Sequence, residues 1–275
     1  MKNTIVFIGG GNMARSLMGG LIADGCAPKQ LWVTDPNQDK LAGLQRDFSV
    51  HTTTANLDAA QHADVLVLAV KPQALKAVAH ELAPLLQRRK PLVISIAAGI
   101  RTGALVAWLG GDLALVRAMP NTPALVRSGA SALYANALVS EAQRSQAENI
   151  LRAVGLALWL TDEAQMDAVT ALSGSGPAYF FLVMEALEEA AMRLGLPRET
   201  AHLLTLETAF GAAKMALESS EGCGALRARV TSPGGTTEQA LRVLQEGRIE
   251  ALFETALRAA HARSAELATL LGGAA

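Results

Sequence analysis

Four β-branched and aromatic residues, Ile5-Val6-Phe7-Ile8, run straight into three glycines, Gly9-Gly10-Gly11. An amphipathic repeat then follows, with Met13, Leu17, Gly20 and Leu21 at helical spacing. A strand, a tight turn and a helix must therefore succeed one another within a few residues. Gly9-x-Gly11-x-x-Ala14 is the G-x-G-x-x-A form of the dinucleotide-binding fingerprint. The first glycine permits the sharp turn, and the second leaves no Cβ between the backbone and a pyrophosphate. Ala14 lets the helix approach the strand closely. Phosphates would rest on free N–H groups at the helix N-terminus, where the macrodipole favours negative charge.

The first part of the chain continues in the same rhythm. Strands are predicted at residues 31–34, 50–52, 65–70, 92–96, 113–118, 131–134 and 156–160, with helices at 40–48, 74–86, 102–109 and 140–154 between them. The run Val65-Leu66-Val67-Leu68-Ala69-Val70 is apolar throughout, as a parallel strand covered on both faces must be. Ser140-x-x-Gln143 reads as a capping box. Strands alternating with helices imply an α/β class, a doubly wound and mostly parallel sheet.

The rhythm stops near Thr161, and helices are predicted for most of the remainder: 163–172, 178–194, 198–219, 236–246 and 249–271. Ser173-Gly174-Ser175-Gly176-Pro177 reads as an interruption, and Thr236-x-x-Gln239 as a second capping box. The expected division is a dinucleotide-binding domain over 1–161 and a helical domain over 162–275. Tyr179 to Met184 is apolar on every side of its helix, more than a small helical domain can bury alone, so a partner subunit is expected. The terminal Gly272-Gly273-Ala274-Ala275 is expected to fray.

A chain of 275 residues with 51% hydrophobic and 18% charged residues has ample core for two domains, and its net charge of −1 favours neither nucleic acid nor an anionic membrane surface. Two cysteines, Cys26 and Cys223, make neither a disulfide framework nor a zinc site, which suits a reducing, cytoplasmic setting. The histidines at 51, 62, 80, 202 and 261 are scattered, and no metal site is expected. No run reaches the length of a membrane span, and no secretory leader pattern opens the sequence.

Ligands of open α/β sheets bind beyond the carboxyl ends of the strands. The candidate loops are Gly9 to Met13, Asp35 to Asn37, Ala69 to Gln73, Ile96 to Gly99 and Met119 to Pro123. Lys71 follows a buried strand and can reach a ribose or nicotinamide. Asn121 can bond the same end of a cofactor, or serve only its turn between two prolines. Asp35 ends the second strand, where a carboxylate can hold the 2′-hydroxyl of NAD and repel a 2′-phosphate. No arginine follows it closely, and Lys40 is the nearest cation in sequence. The loop Thr231-Ser232-Pro233-Gly234-Gly235-Thr236-Thr237 brings bare N–H groups and hydroxyls to another helix N-terminus, a ready site for a carboxylate. There is no G-x-S-x-G elbow and no histidine-based triad. A protonated imine carries its own positive charge, so hydroxyls and backbone donors suffice to orient it for reduction.

These motifs, together with Ser95-Ile96-Ala97-Ala98-Gly99, Met119-Pro120-Asn121-Thr122-Pro123 and Ser173-Gly174-Ser175-Gly176-Pro177-Ala178-Tyr179, resemble the pyrroline-5-carboxylate reductase family in order along essentially the whole chain. The resemblance implies a Rossmann domain followed by a helical domain interlocked in a homodimer, and possibly a decamer. It implies reduction of 1-pyrroline-5-carboxylate to L-proline with NADPH or NADH. Carried over by position, it puts the cofactor on Ile8, Gly9, Gly10, Gly11, Asn12, Met13, Asp35, Asn56, Ala69, Val70, Lys71, Pro72, Ile96, Ala97 and Ala98. It puts substrate on Ser232, Gly234, Gly235, Thr236 and Thr237, with Glu163 lining that pocket and Thr237 bonding the ring nitrogen. Many members carry serine where Asp35 stands, which bears on the choice between the two cofactors. A β-hydroxyacid dehydrogenase would need a lysine in the helix after the Ser173 to Pro177 motif, and Ala178 to Met184 contains none. A non-catalytic NAD(P) sensor on the same fold would have no use for the Thr236-Thr237 loop.

Overall fold

The computed structural model describes residues 3–272, so of the terminal four residues only Gly272 is described. The chain runs β1 (Ile5–Ile8), α1 (Asn12–Ala23), β2 (Leu31–Thr34), α2 (Gln38–Phe48), β3 (His51–Thr53), α3 (Asn56–Ala60), β4 (Val65–Leu68) and α4 (Pro72–Arg89). It continues through β5 (Leu92–Ser95), α5 (Thr102–Trp108), β6 (Leu115–Met119), β7 (Gly129–Ala135), α6 (Glu141–Arg152) and β8 (Gly155–Trp159). The rest is helical: α7 (Gln165–Val169), α8 (Gly176–Arg193), α9 (Arg198–Glu218), α10 (Cys223–Arg229), α11 (Thr236–Glu246) and α12 (Ile249–Gly272).

Among the described residues the strands form one sheet in the order β3-β2-β1-β4-β5-β6-β7-β8. Every pair is parallel except β6 with β7, which run antiparallel. Side chains alternate between the two faces, and both faces are apolar. Ile5, Phe7, Val33, Val67 and Ile94 belong to a core with Leu17, Leu21, Leu44 and Ile150 from α1, α2 and α6. Val6, Ile8, Leu66, Leu68 and Val93 belong to a second core with Leu75, Leu82 and Leu105 from α4 and α5. The order reverses between β1 and β4. This is the topological switch point, whose crevice at the strands' carboxyl ends takes ligands in such sheets.

The expected helix over 140–154 is present with its full capping box at Ser140 and Gln143. Other local expectations are corrected. Ser173 to Pro177 is a shorter interruption than expected: α7 leads through a π-helical turn, Thr170–Gly174, and a one-residue bend at Ser175 into α8. The Ser175 N–H reaches the Thr170 carbonyl at 2.9 Å, so the widened turn keeps its backbone paired despite residues of low helix propensity. Pro177 stands in the first turn of α8, where its missing N–H costs nothing. The second capping box is also corrected. Gly235, not a threonine, is the N-cap of α11 and no side chain caps it, while Glu238 reaches back to the Gly234 N–H at 2.8 Å. The short helices α3 and α10 are additions to the sequence reading, each under two turns and too brief to leave a periodic pattern.

Two compact units emerge among the described residues, 3–175 with 259–272, and Gly176–Arg258. The expected division at 161 differs, because α7 and its π turn pack in the first unit and the second half of α12 returns to it. There the Ser264 hydroxyl donates to buried Asp167 at 2.7 Å. In the second unit, the apolar run on α8 stands open in the single chain, with Phe180 69% and Phe181 65% exposed. No helix among the described residues is long and apolar enough to cross a membrane.

Candidate functional site

The glycine turn after β1 sits at the switch point and is tied to both neighbouring strands. The Gly9 N–H donates to the Thr34 carbonyl at 2.8 Å, and the Ala69 N–H to the Ile8 carbonyl at 2.8 Å. Gly9 has φ +105°, and a Cβ there would lie 2.6 Å from the Ala69 carbonyl oxygen. Only glycine fits both the angle and the space. Gly11 is the N-cap of α1, and a Cβ on it would meet nothing within 4 Å, so its backbone is open to a ligand. The first turn of α1 holds no acidic residue and no side-chain cap, which leaves its N–H groups for an anion. Ala14 is buried against the sheet, as its place in the fingerprint requires. The turn thus fits the pyrophosphate of a dinucleotide.

Asp35 faces this turn. Its Oδ2 accepts the Gly10 N–H at 3.0 Å, its Oδ1 accepts the Asn37 N–H at 2.9 Å, and the residue is 8% exposed. Lys40 Nζ lies 3.5 Å from Oδ2. Beyond Gly10 and Gly11 opens a cleft of about 550 Å³ whose lining includes Asn12, Arg15, Lys40, Arg46 and Asp47. Asp47 pairs with Arg15 at 2.5 Å and with Arg46 at 3.2 Å. Hydrogen bonds from these two guanidiniums hold its carboxyl below the ordinary carboxylate value. Arginines distant from Asp35 in sequence therefore flank the same cleft. Arg46 lies far along α2 and Arg15 on α1, which the spacing around Asp35 does not reveal.

The other candidate residues of the first unit line the same edge of the sheet. Asn56 accepts from the Thr34 hydroxyl at 2.7 Å and donates to Glu81 at 3.0 Å, so its amide braces the end of β2 against α4. Ala69 and Val70 are half-buried, Lys71 is exposed at the N-cap of α4, and Pro72 occupies the first turn. Ile96 is half-buried and Ala97 buried, while Ala98 stands exposed. Asn121 donates its amide to the Ser173 carbonyl and hydroxyl, both at 3.2 Å, and accepts from the Ala130 N–H at 2.8 Å. It thereby pins the loop after β6 to the π turn.

Glu163 lies at the same end of the first unit. Its Oε1 accepts from the Thr102 N–H at 2.7 Å and from Arg117 Nη1 at 2.9 Å. Arg117 is a residue that the sequence reading passed over. A single charge inside the apolar strand 113–118 is the signal that pointed to it, since a buried guanidinium needs a partner.

In the second unit, Ser232 to Thr237 forms a tight turn into α11. Gly234 has φ +71° and the Gly235 N–H donates to the Ser232 carbonyl at 3.0 Å. No side-chain cap uses up the start of α11, so the hydroxyls of Thr236 and Thr237 are not spent there. Thr237 is half-buried.

A doubly wound sheet, a glycine turn at its switch point and an appended helical unit define a Rossmann-type oxidoreductase. Residues 4–99 match the family described as NADP oxidoreductase, coenzyme F420-dependent, and residues 163–267 match pyrroline-5-carboxylate reductase dimerisation. The pyrroline-5-carboxylate reductase of Pseudomonas aeruginosa is 57% identical over 268 residues, covering 98% of each chain, and that of Haemophilus influenzae is 43% identical over 97% of this chain and 98% of its own. The solved pyrroline-5-carboxylate reductase of Coxiella burnetii superposes with a TM-score of 0.94 at 52% identity, covering 97% of this chain and 99% of that one. The Plasmodium falciparum pyrroline carboxylate reductase, solved with NADP bound, gives 0.86 at 29% identity, covering 97% and 98%. The chain belongs to the pyrroline-5-carboxylate reductase family.

Proposed function

We propose that this chain reduces 1-pyrroline-5-carboxylate to L-proline with NAD(P)H as reductant, the last step of proline synthesis. The observation that carries the substrate assignment is the Ser232 to Thr237 turn, with its glycine-rich backbone and uncapped helix start. Its first-turn N–H groups suit the substrate carboxylate. The Thr237 hydroxyl suits the ring nitrogen, because one hydroxyl can accept from the iminium or donate to the product amine. When bound, the nicotinamide supplies the hydride. Gly9 to Met13 hold the pyrophosphate, and Ala69 to Pro72, Ile96 to Ala98 and the braced Asn121 shape the edge that receives the rest of the cofactor. Thr237 orients the imine rather than removing a proton, since an iminium carbon needs no further activation to accept hydride.

The assembly we infer is a homodimer through the helical unit, able to grow into a decamer. The exposed Phe180 and Phe181 and the dimerisation-family match support the dimer. Sedimentation at micromolar protein should give a dimer or a larger species, and a clean monomer would sink this assembly. A buried Cys26 and an exposed Cys223, both free thiols, suit a cytoplasmic location. The decisive assay mixes purified protein, 1-pyrroline-5-carboxylate and each reduced cofactor. Substrate-dependent loss of reduced-nicotinamide absorbance is expected, and its absence with both cofactors would overturn the reading.

A further inference from the structure

Two glycine N–H groups lead into α11, and the chain uses both itself. The Gly235 N–H donates to the Ser232 carbonyl at 3.0 Å, and the Gly234 N–H to the Glu238 carboxylate at 2.8 Å. An incoming carboxylate is therefore left the first-turn N–H groups of α11, those of Thr236, Thr237 and Glu238, which a helix does not pair within itself. Glu238 is exposed and stands four residues before Arg242, the spacing of a helical ion pair. Arg242 instead lies toward Glu246, at 4.0 Å, and among the described residues Glu238 forms no ion pair. Its carboxylate turns back past the start of the helix, onto a glycine at φ +71°.

We propose that Glu238 is a positioning residue for the substrate: by holding the Gly234 N–H it sets the Pro233-Gly234-Gly235 turn in shape before the substrate arrives. The proposal deepens the functional reading and rests on it, since it takes the pyrroline carboxylate to bind at this turn. Glycine loses more backbone freedom on ordering than any other residue, and two stand here in succession. The N-cap, Gly235, has no side chain with which to hold the first turn. Without the Glu238 bond that ordering falls to the substrate and weakens its binding. The cost is the same in the ground state and in the transition state, so it belongs in KM and leaves kcat alone. The bond needs an acceptor rather than a charge. A full negative charge in the same helical turn as an anion site works against the anion.

Steady-state kinetics of the full chain with 1-pyrroline-5-carboxylate test this. Glu238→Ala should raise the substrate KM about three- to tenfold, the net scale of one hydrogen bond, with kcat and the cofactor KM unchanged. Glu238→Gln, whose amide oxygen still accepts the Gly234 N–H, should keep the parental KM or lower it. L-Proline, with the same carboxylate on a saturated ring, reads binding without hydride transfer. Its inhibition constant should rise with the KM, and only in the alanine variant. A lower KM in Glu238→Ala would mean that the side chain competes with the substrate for the Gly234 N–H, and would overturn the proposal. So would an unchanged KM, with or without a lower melting temperature, or a glutamine variant that behaves like the alanine one. If the parent itself shows no pyrroline-dependent oxidation of either reduced cofactor, the substrate reading fails and Glu238 loses its role with it.

Discussion

The guanidinium of Arg117, 4% exposed on the interior strand β6, is held at 2.9 Å by the carboxylate of Glu163, forty-six residues later. The same oxygen accepts the Thr102 N–H at the start of α5. One carboxylate thus joins β6, the start of α5 and the approach to α7. Removing one partner of such a pair strands a buried charge and costs about 3–5 kcal/mol. Glu163→Ala should lower the urea midpoint accordingly, and Glu163→Gln, which keeps an acceptor, should lose less. A loss below about 1 kcal/mol in the alanine variant would mean that water reaches Arg117 freely.

Gly9 and Gly11 answer to different demands, although they belong to one motif. A Cβ at position 9 would collide with the Ala69 carbonyl, on a backbone at φ +105°. Gly9→Ala should therefore destabilise the fold by at least about 2 kcal/mol, from overpacking and strain combined. A Cβ at position 11 meets nothing. Gly11→Ala should melt like the parent yet lose dinucleotide affinity. Thermal melts beside cofactor titrations check both, and matched behaviour of the two variants would contradict the assignment.

Thr237→Ala should fold, bind cofactor normally and lose about 10- to 100-fold in kcat/KM on the pyrroline substrate, the scale of one hydrogen bond to a charged group. Thr237→Ser should recover most of the rate. Parental kinetics in the alanine variant would remove Thr237 from the reaction.

Asp47 is held below its ordinary value by hydrogen bonds from Arg15 and then Arg46. A depressed carboxylate contributes stability that is present above its unfolded value, 3.8, and is lost as the pH falls through the lower folded one. Thermal melts across the acid range check it, and an Asp47→Asn variant that showed the same acid loss as the parent would overturn it.

Much of the first unit was legible because its signals are local. Ile5-Val6-Phe7-Ile8 before Gly9 is a strand and a turn by composition alone, and Ser140 with Gln143 forms its capping box within one helical turn. The Ser173 to Pro177 stretch misled for the same local reason. Glycine and serine disfavour helix, yet i→i+5 bonding and the Asn121 amide hold the turn together, and Asn121 lies fifty-two residues from Ser173.

The sequence by itself determined the alternation of strand and helix, the glycine turn, the family and the chemistry that its motifs carry, because each depends on residues close together along the chain. Only the tertiary structure decided where the charges point. It turned Asp35 inward onto Gly10, brought Arg15 and Arg46 to one cleft through Asp47, and set Glu163 on Arg117. The direction of a side chain depends on which distant N–H or guanidinium needs a partner once water is excluded, and that is settled by packing, not by spacing.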